Sequence, residues 1–593
     1  MRLRIALLTT ASVIGLAGTP ALAANNMSED GEATRSLLGS YLAANFAKIE
    51  NDAPNAAAFY RSALALDPSS EVLLEQAFQT EASQADWARA VPLAKELIAK
   101  DPTHRMAHLV LGLDRFKARD YAQADKEFEA ASDGLIGELT SSLARGWTAL
   151  AAGDSDKGLA LLKKPKQAEG AQFYLNYHEA LIADVAGKKT EAAAAYERSF
   201  RQNSRMLRTA LAYARHATHQ GNDKLARTIL DGLTDRTQED PHPLVRALDT
   251  EIKSGKTVPL MIKTPEEGMA EVFYGLGELL ANEGGVGMGI LYLQMALYLQ
   301  PDHAFALVSL ANAYESARRY EDAIVAYDRV PKDTPLQSEI AIRKAFDLNS
   351  LERVDEAKEI LDRLAAENPK NMKALDALGS IMRVRKRYAE AVDYYTRALE
   401  LVKTPSKQHW SLFYSRGTCF ERLKNWPPAE ADLQKALTLY PDQPMVLNYL
   451  GYSWVDQNRN LKKGMSLIEK AVALKPDDGY IVDSLGWAHF KLGNFKESVR
   501  FLERAVELKP EDPVLNDHLG DALWRVGRER EAQFQWDQAL TLEPEPDDAE
   551  KIKKKLTDGL PPGSIEAHGT QETTRDVRLK KRKETKLTPP RVE

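Results

Sequence analysis

Hydrophobic and polar positions follow a helical period along most of the chain, and the pattern repeats itself. An alanine-rich apolar run ends in a proline at nearly constant intervals near the C-terminal end, at Pro441, Pro476, Pro510 and Pro544. A second apolar run lies between successive prolines and carries a glycine, at Gly451, Gly486 and Gly520. Helical spacing in both runs predicts two helices per unit, and the proline ends the second helix.

Small residues recur where the two helices of a unit would approach each other. A small residue follows Gly486 and Gly520 at the same distance, as Ser498 and Ala532, and Gly464 takes the same role in the unit of Gly451. Alanines mark a second contact position in each unit, at Ala436, Ala471, Ala505 and Ala539. This arrangement predicts a close-packed hairpin of two antiparallel helices in every unit.

The unit resembles the tetratricopeptide repeat, a helix-turn-helix of about 34 residues with small, aromatic and proline landmarks. The same landmarks continue towards the N-terminus at Gly417, Gly379, Ala345, Ala311 and Gly277, and more weakly before residue 245. Roughly fourteen units result, covering most of residues 34–545. The resemblance implies an all-α fold, an α-solenoid in which the repeats form a right-handed superhelix, in one array or two.

Breaks in the pattern predict the domain organisation. Residues 24–245 form an N-terminal degenerate array, and the prolines near residues 246–267 indicate a linker or a degenerate unit. Residues 268–560 form a C-terminal array that ends in a capping helix from about Asp547 to Leu560. Residues 561–593 are polar, and eight basic residues stand against three acidic ones from Arg575 onwards. This composition predicts a disordered basic tail.

The segment 1–23 has the pattern of a secretory signal peptide. Arg2 and Arg4 precede an apolar run over residues 5–18, and a small-x-small motif ends at Ala23. No cysteine follows the predicted cleavage site, so a lipobox is absent, and no later segment has the pattern of a transmembrane helix. We expect a periplasmic location. The single cysteine, Cys419, excludes a disulfide within the chain and fits that compartment better than a disulfide-rich secreted class.

Composition and charge exclude several classes of function. The chain has 593 residues, of which 44% are hydrophobic and 28% charged, with a net charge of -7. This is an ordinary composition for a water-soluble protein, without the basic bias of a nucleic-acid-binding protein. The basic tail is a candidate for weak contact with an anionic membrane or polymer, and a solvated tail is the alternative.

Candidate catalytic and metal-binding motifs have simpler explanations in the repeat. The pairs His104/His108 and His216/His219 share helical faces but lack further metal ligands, so we expect surface histidines. The glycine-rich stretch from Gly284 to Gly289 lacks the lysine and the preceding strand of a phosphate-binding loop and fits an interhelical turn. Cys419 fits a core thiol. We predict no enzyme, metal or cofactor.

The first helix of each unit would line the concave side of the solenoid. Positions three before, one after and four after each landmark glycine would project into this groove. In the last three units they are mainly acidic, amide and aromatic residues: Asn448, Tyr452, Asp483, Trp487, Phe490, Asp517, Asp521 and Trp524. Aromatic anchors beside hydrogen-bonding groups suit an extended or helical peptide. The alternative is that some of these residues only pack between repeats.

One variant of the resembled family binds a C-terminal carboxylate through lysine and asparagine side chains. Asn312 falls at one such position, but Val308 stands at the partner position, so we do not expect that specificity. The C-terminal units also resemble Gram-negative envelope proteins that include the adaptor of a carboxyl-terminal processing protease. The sequence therefore predicts a non-enzymatic periplasmic scaffold or adaptor for proteins or peptides in envelope biogenesis or proteolysis, with an envelope glycan- or peptidoglycan-binding component as the alternative.

Overall fold

The computed structural model describes residues 36–163, 169–233, 241–255 and 257–561. These ranges contain thirty α-helices and one short 3-10 helix, and no β-strand. The all-α prediction is confirmed. The predicted signal peptide at residues 1–23 lies outside the described residues, as do residues 562–593 of the predicted basic tail.

Contacts divide the chain into two compact units between Leu364 and Ala365. We call the described residues on the two sides the N-unit and the C-unit. The helices of the N-unit are α1 (Leu37–Ile49), α2 (Ala53–Leu66), α3 (Glu71–Ser83), α4 (Trp87–Lys100), α5 (Arg105–Lys117), α6 (Tyr121–Ala130), α7 (Gly134–Ala151), α8 (Ser155–Lys163), α9 (Glu169–Val185), α10 (Lys189–Gln202), α11 (Leu207–His219), α12 (Asp223–Leu233), α13 (Pro243–Lys253), α14 (Pro265–Asn282), α15 (Val286–Leu299), α16 (Ala304–Ser316), α17 (Tyr320–Asp328), α18 (Gln337–Ser350) and α19 (Val354–Glu367), which contains the boundary.

The C-unit continues the same alternation of helices. It contains α20 (Met372–Val384), α21 (Tyr388–Glu400), the 3-10 helix Lys407–His409, α22 (Trp410–Arg422), α23 (Trp426–Leu439), α24 (Pro444–Asp456), α25 (Leu461–Leu474), α26 (Gly479–Lys491), α27 (Phe495–Leu508), α28 (Pro513–Arg525), α29 (Glu529–Thr541) and α30 (Pro546–Asp558). Taken in order, the described helices form fourteen hairpins, with α13 and α30 left single. This number agrees with the repeat count that the sequence predicts.

A left-handed residue ends the first helix of each hairpin, and its recurrence displays the repeat. In the first half of the chain, positive φ angles recur at a constant interval, at Asn51, Ala85, Arg119, Gly153, Gly187, Gly221 and Gly255. This interval is the length of one tetratricopeptide unit. Gly255 follows α13, so α13 stands in the register of a first helix whose second helix is missing. The step from Gly255 to Gly284 is shorter than one repeat, and the register restarts there.

Small residues sit at the closest approach of the paired helices, as the sequence predicts. A Cβ atom built on Gly451 would lie 2.8 Å from the carbonyl oxygen of Gly464, and the reverse distance is also 2.8 Å. Real Cβ atoms do not approach backbone oxygens this closely. Gly158 stands in the same relation to Gly146, at 2.7 Å. A larger side chain at these positions would separate the two helices of the hairpin.

In the N-unit the hairpin of α14 and α15 packs against earlier first helices. Helix α15 contacts α3 and α5, and α14 contacts α7 and α9. Tyr292 Oη lies 3.2 Å from Thr140 Oγ1, and Lys117 Nζ donates to the carbonyl of Tyr298 at 2.6 Å. Most residues of α15 are buried, and a helix that is apolar on all sides needs neighbours on all sides. The first helices α3 to α9 are thus covered by the chain's own hairpin.

A buried carboxylate on α14 joins it to two earlier first helices, α9 and α11. Glu271 accepts hydrogen bonds from Arg208 Nε at 2.8 Å, from Arg208 Nη2 at 2.6 Å and from Tyr177 Oη at 2.9 Å. Burial raises the pKa of Glu271, but the Arg208 guanidinium outweighs it and holds that pKa well below its usual range. Glu271 therefore remains ionised and paired inside the N-unit.

The division by contact and the predicted division by repeat register fall at different places. The contact boundary lies in α19. Residues 246–267, the predicted linker or degenerate unit, contain most of α13 and the first turn of α14. The predicted arrays at residues 24–245 and 268–560 are defined by where the repeat pattern breaks, not by contacts, and this division stays a prediction.

Candidate partner-binding strip

The eight residues predicted to face a partner lie on three neighbouring helices of the C-unit. Helices α24, α26 and α28 are the first helices of successive hairpins, and α26 contacts both of the others. We call the eight residues the inner strip: Asn448, Tyr452, Asp483, Trp487, Phe490, Asp517, Asp521 and Trp524. The structure brings them into one row across the three helices. Their role in binding stays a prediction.

Polar residues of the inner strip bond to the next first helix along the chain. Asn448 Nδ2 donates to Ser484 Oγ at 3.0 Å. The two carboxylate oxygens of Asp483 lie 3.0 and 3.1 Å from Nδ1 of His518. These contacts link α24 to α26 and α26 to α28. Part of the polar character of the strip therefore holds neighbouring repeats together, which is the alternative that the sequence left open.

The aromatic residues of the inner strip form a stack in the middle of the row. The ring centroids of Trp487 and Phe490 are 4.7 Å apart, with planes inclined by 4°. The Trp487 ring also stacks on His518 at 3.9 Å. Trp487 and Phe490 are half-buried, so part of each ring remains accessible. Stacking fixes the orientation of the indole before any partner arrives, which lowers the entropic cost of binding.

Helix α24 contributes two hydrogen-bonding groups one turn apart. Burial raises the pKa of Tyr452, and the charges of Asp456 and Asp483 raise it further. The phenol thus keeps its proton and remains a donor at physiological pH. The Asn448 side chain is on the same helical face, and its Oδ1 atom is buried without a hydrogen-bond partner among the described residues. A buried acceptor of this kind is costly unless something donates to it.

The strip residues of α28 are used largely within the chain. Asp521 accepts a hydrogen bond from Trp536 Nε1 at 3.0 Å and another from Lys555 Nζ at 2.8 Å. The Trp524 ring lies 5.3 Å from the ring of Trp536. Sequence reasoning missed Lys555, because the capping helix carries no repeat landmark. It also missed His518 as a partner of Asp483, although a spacing of one repeat was the available signal.

The prediction of surface histidines is wrong for His108 and His216. His108 Nδ1 lies 2.7 Å from Glu127 and its Nε2 lies 2.9 Å from the carbonyl of Pro102, while buried His216 lies 2.6 Å from Asp184. Each ring joins two helices and is covered by them. His219 is exposed, as predicted. Within the described ranges no group of three or more His, Cys, Asp or Glu side chains is arranged to hold a metal ion.

Cys419 and the glycine-rich stretch have the structural roles predicted for them. The Cys419 thiol is buried, and burial raises its pKa to about 11, so it remains protonated. The stretch from Gly284 to Gly289 forms the turn between α14 and α15 and the start of α15. A Cβ on Gly289 would lie 2.7 Å from that of Ala281, so this glycine is required for close helix packing.

Asn312 lies in a separate cavity of the N-unit with a volume of about 320 Å³. Two guanidinium groups line the cavity, but both are paired: Arg208 with Glu271, and Arg343 with Glu315 at 2.9 Å. Asn312 Oδ1 itself accepts from Tyr327 Oη at 3.1 Å. Both guanidinium groups in this cavity thus already have a carboxylate partner, and the expectation about carboxylate specificity stays a prediction.

Comparison with known proteins follows the repeat architecture. Family models described as tetratricopeptide repeat match residues 177–241, 347–407 and 482–512. A TPR repeat-containing protein of Pseudomonas aeruginosa is 31% identical over 144 residues, which are 24% of this chain and 23% of the relative. A protein O-mannosyl-transferase of Homo sapiens is 24% identical over 211 residues, which are 35% of this chain and 24% of the relative. The chain thus matches about a quarter of the length of each relative.

Among solved structures, the APC/C hetero-tetramer Cut9–Hcn1 aligns with 88% of this chain and 96% of its own, at 14% identity and a TM-score of 0.37. Helical hairpins that repeat at a constant interval define the class as an α-solenoid. The chain is a tetratricopeptide-repeat protein. Such repeats form protein-interaction scaffolds. None of the helices in the described residues is long and apolar enough to cross a membrane.

Proposed function

We propose that the chain is a non-enzymatic periplasmic scaffold or adaptor that binds a protein or peptide along the inner strip. The observation that carries this proposal is the stacked pair Trp487 and Phe490, whose rings have a fixed orientation and are only half-buried. The half-buried Tyr452 phenol on the neighbouring helix α24 would donate to a peptide carbonyl. The accessible edges of Trp487 and Phe490 would receive an apolar side chain.

Two features of the sequence support an envelope role. Residues 1–23 have the pattern of a signal peptide. The C-terminal units resemble envelope adaptors of a carboxyl-terminal processing protease, and a relative with the same repeats is found in the bacterium Pseudomonas aeruginosa. Delivery of protein substrates to such a protease is the adaptor function we propose.

The location has a direct test. Expressed in a Gram-negative host, the protein should appear in the periplasmic fraction with Ala24 as its first residue, determined by intact mass. Retention of Met1 in the cytoplasmic fraction would contradict export.

The binding proposal is tested by capture from envelope extract of the source bacterium. We expect Trp487→Ala to reduce recovery of specific proteins about tenfold or more, because an aromatic anchor at an interface centre is worth ~2 kcal/mol or more. Phe534→Ala is the matched control, since Phe534 is 64% exposed on a second helix, α29, away from the strip. Equal recovery with the wild-type, Trp487→Ala and Phe534→Ala chains would refute binding at the strip.

The parallel stack of Trp487 and Phe490 favours one second candidate, an envelope glycan or peptidoglycan. Aromatic side chains bind sugar rings through apolar contact, and the half-buried Trp487 and Phe490 rings leave apolar area accessible. Sedimentation with purified peptidoglycan separates the two candidates. Co-sedimentation that depends on Trp487, together with no captured protein, would favour the glycan.

A further inference from the structure

Helix α30 occupies the acidic end of the inner strip. Its Lys555 Nζ donates to both carboxylate oxygens of Asp517, at 2.9 and 2.8 Å, and to Asp521 Oδ2 at 2.8 Å. An ammonium group has three donors, and all three are used here. Two carboxylates that converge on one cation form a subsite for a lysine side chain.

The end of α30 also covers the aromatic residue of α28. Gly559 has φ +68°, and a Cβ atom there would lie 2.1 Å from the Trp524 ring. Arg525 Nη1 donates to the carbonyl of Pro561 at 2.8 Å, which holds the chain beyond the helix. Asp517, Asp521 and Trp524, three of the eight residues of the inner strip, therefore face α30.

Helix α30 is attached with little apolar burial. Ile552 is its single fully buried residue, whereas more than half of the residues of α28 are buried. Leu556 and Leu560 add partly buried contacts to the same cluster. Elements with few buried apolar contacts open at a lower free energy than the rest of a protein. The helix that holds the acidic subsite should therefore open at a lower free energy than α28.

We propose that α30 is a displaceable occupant of the inner strip, and that the partner competes with it through a helix presenting a lysine beside apolar residues. Ile552, Lys555 and Leu556 define this chemistry, because spacings of three and four place them on one helical face. The proposal rests on the proposed function of the strip and names its partner class. Binding of the partner would release α30 and free Asp517, Asp521 and Trp524.

Hydrogen exchange on the full chain tests whether α30 opens on its own. Amides of α30 should exchange at least about tenfold faster than those of α28. Lys555→Ala should accelerate exchange of the α30 amides by about a further tenfold, because it removes a charge-assisted contact to two carboxylates. Lys554→Ala is the matched control: the neighbouring lysine is exposed and its loss changes the net charge equally. Equal exchange in both variants would overturn the proposal.

A synthetic peptide of residues 545–561 tests the competition. Added to the wild-type chain, it should accelerate exchange of the chain's own α30 amides. It should bind the Lys555→Ala chain about tenfold more tightly than the wild-type chain, since its competitor is weakened. The same peptide carrying Lys555→Ala should bind each chain about tenfold more weakly than the unmodified peptide. Asp517→Asn added to the Lys555→Ala chain provides a second route, because it should weaken binding of the unmodified peptide while the competing α30 no longer uses Asp517.

The outcomes separate this proposal from the proposed function. If capture of envelope proteins depends on Trp487 while the peptide leaves α30 exchange unchanged, the strip binds partners and displacement of α30 is refuted. If the peptide displaces α30 while capture is insensitive to Trp487→Ala, displacement stands and the proposed function fails.

Discussion

At the scale of single residues, Asp483 and His518 connect two repeats and also shape the inner strip. Burial of the His518 ring lowers its pKa, but the Asp483 carboxylate outweighs burial and the net shift is upward. The charges of Asp517 and Asp521 raise the His518 pKa further, while Lys555 neutralises part of their charge. The His518 ring stacks on Trp487. The protonation state of His518 therefore affects the orientation of Trp487, the proposed aromatic anchor.

This pair predicts a pH dependence. The pKa of His518 is higher in the folded protein than in the unfolded chain. The Asp483–His518 pair therefore contributes its full free energy of stabilisation below the unfolded pKa of His518, near 6.5, and loses this contribution as the pH rises through the folded pKa. Asp483→Asn should lower the free energy of unfolding by about 1–2 kcal/mol at pH 5.5 and by less at pH 8.5, because a charge-assisted hydrogen bond contributes a free energy in this range. Exchange rates of α26 and α28 amides at the two pH values measure the effect. An equal cost at both would show that His518 is not charged in the folded protein.

At the scale of elements, the α14–α15 hairpin determines how the N-unit is built. It covers the first helices that would otherwise line an open groove, and Glu271 ties it to α9 and α11. This is the reason that we place partner binding in the C-unit. The exposed face of α24, α26 and α28 has no comparable hairpin against it among the described residues.

Glu271→Gln should destabilise the N-unit by about 3–5 kcal/mol, because it leaves the buried Arg208 guanidinium without a counter-charge. Exchange of α14 amides should accelerate accordingly, while that of α26 and α28 should not change. Glu359→Gln is the control, since it removes the exposed Arg363–Glu359 pair and should cost no more than about 0.5 kcal/mol. A small effect of Glu271→Gln would mean that apolar packing alone holds α14.

The elements also show what the sequence could predict. Glycines and alanines at fixed intervals, such as Gly451 with Gly464, predict hairpins because they report contacts within one repeat. The docking of α15 on α3 and α5 was not predicted, since a periodic pattern carries no information about contacts several repeats away. The apolar character of α15 on every side was the available signal. Inner-strip positions followed from repeat register, but Lys555 did not, because α30 lies beyond the last repeat.

At the scale of the whole molecule, the chain is a tetratricopeptide-repeat protein in which the two units differ in what they leave exposed. The N-unit covers its first helices with its own hairpin, and the C-unit presents a row of aromatic and hydrogen-bonding groups with a polar helix over one end. A scaffold needs an accessible face with fixed geometry. The inner strip meets this requirement through its stacked rings and its bonds between repeats.

The most direct test of the central claim is site-specific photo-crosslinking in the source organism. A photoreactive amino acid replaces Tyr452 in one variant and Phe534 in the other, and adducts are identified by mass spectrometry. We predict protein adducts at position 452 that are absent at position 534 and lost when Trp487→Ala is added. Protein adducts at position 534 alone would contradict the claim that the inner strip binds a protein partner. The absence of protein adducts at both positions would contradict it as well.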